Sequence, residues 1–221
     1  MAELWLIRHA QASFGAADYD KLSDLGHEQS RELGQALLAL GARPDAVFIG
    51  AQRRHRETWE GINEALGFPT DPGVLPGFNE FDFGGLLNAR YRGRERPTNL
   101  HTDRRLHFKT LRETVLEWQK GEIVDPPEPY AAFAARVRDA RAQATAQGHE
   151  QVIVVTSGGA IGQSVAEVME APADAMIRLQ LQIKNCSLCR IVVTPRGEHL
   201  GTFNETPHIT AANAARLLTY S

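Results

Sequence analysis

Three short segments of the chain carry side chains suited to handling an anion. Arg8 and His9 stand directly after the apolar run 4–7. Gln52, Arg53, Arg54 and His55 come just after a second run, 46–49. Thr156, Ser157, Gly158 and Gly159 follow residues 152–155, which are all β-branched. A neutral imidazole nitrogen is a good nucleophile toward phosphorus, and a neighbouring guanidinium neutralises the oxygens of a transferred group. A glycine-rich turn that opens a helix presents backbone N–H groups to an anion. Taken one at a time, these features are common in proteins with no such chemistry. Their value depends on whether the fold brings them together.

The surrounding patterns say how it could. Runs 4–7, 46–49 and 152–155 read as short buried strands, the last being the strongest such signal in the chain. Ser23 caps a predicted helix that carries Leu33, Leu37, Leu38 and Leu40 and stops at Gly41. Helices are also predicted over 56–66, ended by Gly67 and Pro69, over 130–146 with Phe133, Val137 and Ala140 on one face, and over 161–169. Segments 188–193 and 199–203 form a predicted hairpin around Pro195, Arg196 and Gly197. Strands alternating with helices imply an α/β fold, a three-layer α/β/α sandwich with a mostly parallel central sheet. Parallel sheets bind ligands beyond the carboxyl ends of their strands. All three segments follow predicted strands, so they are expected to converge on one small volume, and two bring arginines. That convergence favours a phosphate ligand.

At 221 residues the chain is expected to form one domain over 1–221, with an insertion at about 86–129 lying over one end of the sheet and the active site. Between Arg90 and Arg112 that insertion holds eight Lys/Arg against Glu95 and Asp103, a surplus of six in a chain of net charge −3. A solvated helix face and a substrate-attracting surface are both open readings of it. The weak net charge gives no bias toward nucleic acid or membrane, and no apolar run approaches a bilayer span. The N-terminus runs straight into a strand without the basic flank and apolar region of a signal peptide, so a cytoplasmic location is expected. Cys186 and Cys189 form an isolated C-x-x-C within a strand pattern and read as two reduced thiols. No set of three or four ligands has metal-like spacing, and no cofactor is expected. The C-terminal hairpin offers a pairing edge for a homodimer.

The order of the pieces resembles the histidine phosphatase superfamily, the phosphoglycerate-mutase-like proteins. Residues 4–11, Leu-Trp-Leu-Ile-Arg-His-Ala-Gln, resemble that family's signature strand, an apolar run followed by Arg-His-Gly and Glu or Gln. Residues 22–29 are similar to its Leu-Thr/Ser-x-x-Gly-x-x-Gln segment. Arg54 with Thr58 fits its Arg-x-x-x-Thr element, residues 78–84 its acid segment, and Asn204 with His208 its closing Asn-x-x-x-His. The resemblance implies a phosphoric monoester hydrolase acting on a small phosphorylated substrate. It makes His9 the residue phosphorylated, Arg8 and Arg54 the clamp on the non-bridging oxygens, and Glu80 the proton donor to the leaving alkoxide. A glutamic acid suits that task when burial raises its pKa.

Three positions depart from the family pattern. Ala10 stands where the family has glycine, and matters only if that position needs positive φ. Ala12 removes a threonine hydroxyl that Gln11 or Ser13 could partly replace. Ser157 stands where a second histidine is usual. Loss of a charge-assisted donor there is worth about 2.7–4 kcal/mol by analogy with oxyanion-hole deletions. Phosphate contacts are therefore expected from Arg8, Arg54, Gln11, Ser13, Ser157 and Gly158. Two readings follow. One is a working phosphatase in which His55, Arg53 or insertion residues (His101, Arg104, Arg105, His107) replace the missing cation. The other is a relative that binds phosphate esters or a protein partner without turnover. A phosphoglycerate mutase is a third possibility, disfavoured by the altered third-strand site.

Overall fold

The computed structural model describes residues 1–13, 20–100, 103–146 and 148–220, so His101 lies outside the described residues. Six strands form one sheet: β1 (Ala2–Arg8), β2 (Ala46–Ile49), β3 (Gly73–Val74), β4 (Gln151–Thr156), β5 (Leu188–Thr194) and β6 (Gly197–Glu205). Their order is β3-β2-β4-β1-β5-β6. The first four are mutually parallel, and β5 and β6 complete the sheet as an antiparallel hairpin. The sheet is thus mixed and mostly parallel, as expected.

Alternation along the strands builds two cores. Trp5, Ile7, Ile153 and Val155 point to one face and meet Leu33 and Leu37 of α1 (Asp24–Ala39) and Trp59 and Ile62 of α2 (Arg53–Leu66). Leu4, Leu6, Val152 and Val154 point to the other. There they meet Ala140 and Ala144 of α5 (Tyr130–Thr145) and Ile161 and Val165 of α6 (Gly158–Val168). Strands covered on both faces need unbroken apolar runs, which is what the sequence shows. Leu38 and Leu40, grouped with the core by spacing, are exposed; only the stripe through Leu33 and Leu37 faces the sheet.

Helix ends follow their signals in part. Ser23 Oγ accepts the Gly26 N–H at 3.0 Å, and Gly41 and Gly67 close α1 and α2 at φ 79° and 63°. Two helices start earlier than the sequence predicts. α2 begins at Arg53 rather than 56, and α6 at Gly158 rather than 161. Neither start carries a side-chain cap, so the usual marker is missing.

The insertion expected over about 86–129 mixes helix and loop, holding the end of α3 (Phe83–Arg90) and all of α4 (Arg104–Gln119). Leu111, Val115 and Trp118 of α4 pack with Phe133 and Val137 of α5 and with Met176 and Ile177 of α7 (Ala175–Gln180) in a third apolar cluster. Strand β3, α7 and the short α8 (Ala214–Leu217) also escaped the sequence pattern; each is too short to show a period. Among the described residues no helix is long and apolar enough to cross a membrane.

Candidate active site

Because β1, β2 and β4 are parallel neighbours, their carboxyl ends share one edge of the sheet. Arg8 ends β1 opposite Thr156 of β4, and the His9 N–H donates to the Thr156 carbonyl at 2.8 Å. Arg54 and His55 lie in the first turn of α2, just beyond β2. Thr58 ties that helix to the β1 loop: its hydroxyl accepts the Ala10 N–H at 2.9 Å and donates to the Arg54 carbonyl at 2.7 Å. The Arg-x-x-x-Thr spacing thus has a structural cause, one helical turn that fixes Arg54 relative to His9. Ala10 is fully buried and is not among the positive-φ residues, so its methyl is accommodated without strain.

His9 is buried, and its Nδ1 lies 2.7 Å from the Ala10 carbonyl oxygen. A carbonyl only accepts, so Nδ1 carries the proton and Nε2 keeps its lone pair. Burial holds the ring well below the usual imidazole pKa, helped by the positive charge of Arg54 and then Arg8. This is a neutral, oriented nucleophile. Arg8 is anchored through Nη1 to the Ile183 carbonyl at 2.5 Å. Asn204 brackets that carbonyl, accepting the Lys184 N–H at 2.9 Å and donating to the Gln182 carbonyl at 2.7 Å. It does so at φ 60°, a backbone conformation asparagine tolerates better than most residues. Asn204 is therefore a prop for the Arg8 anchor.

Glu80 is a half-buried residue whose carboxyl group is turned inward. Oε2 accepts the Gly159 N–H at 2.9 Å and Oε1 the Phe81 N–H at 3.2 Å. A Cβ on Gly159 would lie 2.0 Å from Oε1, so the glycine is required for this approach. Burial raises the Glu80 pKa, against the opposing pull of the Gly159 hydrogen bond and Arg54. Gln52 holds the acid's backbone, its Oε1 accepting the Glu80 N–H at 3.0 Å.

Ser157 is fully buried, and its Oγ lies 2.7 Å from Nε2 of His55, itself fully buried. The rings of His9 and His55 are 5.8 Å apart, centre to centre. Gly158 opens α6 beside the Arg8 side chain; a Cβ there would sit 3.6 Å from Arg8 Nε. The structure therefore gathers His9, Arg8, Arg54, Glu80, Ser157 and Gly158. Gln11 and Ser13 are engaged locally: Gln11 Oε1 accepts from Ser23 Oγ at 2.8 Å, and the Ser13 hydroxyl donates to the Leu22 carbonyl at 2.9 Å.

Two participants carried no sequence signal. Asp20 pairs with Arg54 at 2.8 Å, and Asn185 Nδ2 donates to the His9 carbonyl at 3.2 Å. The basic surplus of residues 90–112 is partly neutralised by acids further along the insertion. Arg90 pairs with Glu117 and Arg92 with Asp125. Arg104 donates to the Tyr220 carbonyl and lies over Phe108. His107 packs edge-on against Phe83. Arg53 pairs with Glu57 at 2.5 Å. Cys186 and Cys189 are buried free thiols, with burial pushing Cys189 up to about 12. Among the described residues no group of three His, Cys, Asp or Glu is placed to hold a metal ion.

A sequence model described as histidine phosphatase superfamily (branch 1) matches residues 4–206. A protein named probable phosphoglycerate mutase, from Erwinia tasmaniensis, is 25% identical over 199 residues, covering 86% of this chain and 85% of its own. The alpha-ribazole phosphatase of Shigella flexneri superposes with a TM-score of 0.68 at 20% identity, covering 92% of this chain and 96% of that one. A mycobacterial glucosyl-3-phosphoglycerate phosphatase in complex with inorganic phosphate gives a TM-score of 0.68 at 18% identity, covering 95% and 100%.

Proposed function

The chain belongs to the histidine phosphatase superfamily, and we propose that within it this protein hydrolyses small phosphoric monoesters through a phosphohistidine on His9. The observation that carries the proposal is the fixed tautomer of His9, which leaves Nε2 unprotonated beside two arginines and a buried carboxyl group. In the first step Nε2 forms a bond to phosphorus while the ester P–O bond breaks. Glu80 gives its proton to the departing alkoxide. Arg8 and Arg54, with N–H groups near Gly158, neutralise the equatorial oxygens. In the second step water attacks phosphorus, the P–N bond breaks, and the Glu80 carboxylate takes the water's proton. Phosphate leaves, and His9 and Glu80 return to their starting states.

No step calls on a metal. The steps use protein side chains and water alone: Glu80, held by two backbone N–H groups, moves the protons, and His9, with Nδ1 against a carbonyl, presents Nε2 to phosphorus. We assign Gln11 and Ser13 to shaping the loop that carries His9, given their bonds to Ser23 and Leu22. A screen of phosphate esters with the wild type beside His9→Ala tests the reading. Turnover with acid-labile phosphate trapped on the wild type alone is expected. Binding of phosphate esters without turnover or trapping would replace the enzyme by a phosphate-binding protein. The mutase named among the relatives supplies a second reading, and conversion of 3-phosphoglycerate to its 2-isomer without phosphate release would establish it.

A further inference from the structure

We propose that His55 and Ser157 work as one unit, a neutral relay in which His55 Nε2–H donates to Ser157 Oγ and thereby aims the Ser157 hydroxyl proton at the phosphoryl oxygens. The proposal rests on the phosphatase reading above and says how that site manages without a histidine at position 157.

The geometry is specific. Nε2 and Oγ are 2.7 Å apart, both residues are fully buried, and the His55 ring is 5.8 Å from that of His9. Space for the His55 ring exists only because residue 50 has no side chain: a Cβ on Gly50 would sit 2.3 Å from His55 Nδ1. Gly50, His55 and Ser157 therefore form a mutually dependent set on three separate segments. A structural role alone explains a buried histidine. It does not explain why that histidine is bonded to the residue in the third phosphate-binding segment.

The direction of the bond follows from proton accounting. A neutral imidazole has one N–H. The Gly50 backbone favours a proton on the ring, but Nδ1 makes no hydrogen bond of good geometry among the described residues. A buried N–H without an acceptor is the costlier defect, so the proton belongs on Nε2, where Ser157 accepts it. Ser157 then keeps its own proton to donate. Without substrate its alternative acceptor is Gln52 Oε1, 3.4 Å away and already accepting from Glu80 N–H. A phosphoryl oxygen is the better acceptor, and a hydroxyl that is itself accepting a bond donates more strongly. Burial, then Arg54, holds His55 down to about 3, so the relay works as an oriented dipole and not as a cation. Ser157 is the catalytic residue here and His55 a positioning residue.

The test is a double-mutant cycle on the full chain. His55→Ala and Ser157→Ala are each expected to lower kcat by about 10²-fold, with KM nearly unchanged, as for loss of one oxyanion donor. The double variant should be no worse than either single. Gly50→Ala should cost activity in the wild type and nothing further in His55→Ala. Additive losses, or full activity in His55→Ala, would overturn the relay while leaving the phosphatase reading intact. If His55→Ala does not fold, His55→Leu, which fills the space without a donor, enters the cycle in its place. If the wild type turns over no ester, the phosphatase reading falls, and the same cycle is read on orthovanadate affinity. Coupled, non-additive weakening then supports the relay and additive weakening overturns it.

Discussion

Oε2 of Glu80 accepts the backbone N–H of Gly159 at 2.9 Å, so the candidate acid is held against the first turn of α6. The contact joins two segments 79 residues apart, and only a glycine at 159 permits it. It sets the acid's position relative to the Ser157 segment, since both hang from the same helix start.

Two substitutions probe that contact. Glu80→Gln should lower kcat on alkyl phosphates by about 10²–10⁴-fold, the usual worth of general acid catalysis. Loss on p-nitrophenyl phosphate should be much smaller, because that leaving group departs without a proton. Gly159→Ala should show the same leaving-group pattern with the fold intact by circular dichroism. Equal losses on both ester classes would mean that Glu80 serves binding and not proton transfer.

The pH profile has a definite sign. His9 must be neutral, and its lowered pKa keeps it so below the ordinary imidazole range. Glu80 must hold a proton, and its raised pKa keeps one above the ordinary carboxyl range. The kcat/KM for alkyl phosphates should therefore rise as pH passes the lowered His9 value and fall as pH rises through the raised Glu80 value. That descending limb should vanish in Glu80→Gln. A limb unchanged by the substitution belongs to some other group.

Much of this arrangement was legible in the sequence. The runs at 4–7, 46–49 and 152–155 are all strands, and their parallel order alone brings Arg8, His9, Arg54 and Ser157 to one edge. What was not legible depends on packing across the site. The sequence offers His55 as one of several candidate cations to replace the histidine missing at 157; that it is a neutral ring bonded to Ser157 appears only when α2 is seen to start at Arg53 and turn it inward. Gly50 carries no turn signal; its need appears only when the His55 ring is placed against it. Asp20 reaches Arg54 from a loop with no periodicity, and the Asn204 prop acts through Ile183, a residue of no chemical note.

His208 gives a stability prediction away from the chemistry. It is buried, neither ring nitrogen has a partner among the described residues, and burial lowers it to about 4. A lowered folded pKa means that its stabilisation is present above the unfolded value of 6.5 and is lost as pH falls from there toward about 4. Within that window one such histidine adds a slope of about 1.4 kcal/mol per pH unit. His208→Leu should remove one histidine's share of the acid sensitivity in urea unfolding measured between pH 7 and 5. An unchanged slope would mean that the ring can be hydrated when protonated.

The insertion's arginines divide by their partners. Arg90 and Arg92 are held by Glu117 and Asp125, whereas Arg105 is exposed and makes no ion pair among the described residues. Free cations raise local anion concentration and on-rate, an effect that salt screens. Arg105→Ala should raise KM about two- to threefold and flatten its salt dependence, with kcat unchanged. An unaltered KM would assign Arg105 to the solvated surface.

Ser157→His separates a rewired site from a crippled one. Position 157 is fully buried, with His55 Nε2 2.7 Å from its hydroxyl. An added imidazole would need the volume that the His55 ring fills. Ser157→His alone should therefore lose activity, and stability as well, since overpacking a tight core costs about 1–3 kcal/mol. Ser157→His combined with His55→Ala vacates one ring and introduces another, and should recover turnover relative to Ser157→His. Steady-state kinetics on a generic phosphate ester, with thermal unfolding alongside, separates the outcomes. A gain in kcat from Ser157→His alone would show that the site lacks a donor that nothing has replaced. The His55–Ser157 pair would then be packing and not part of the phosphoryl site.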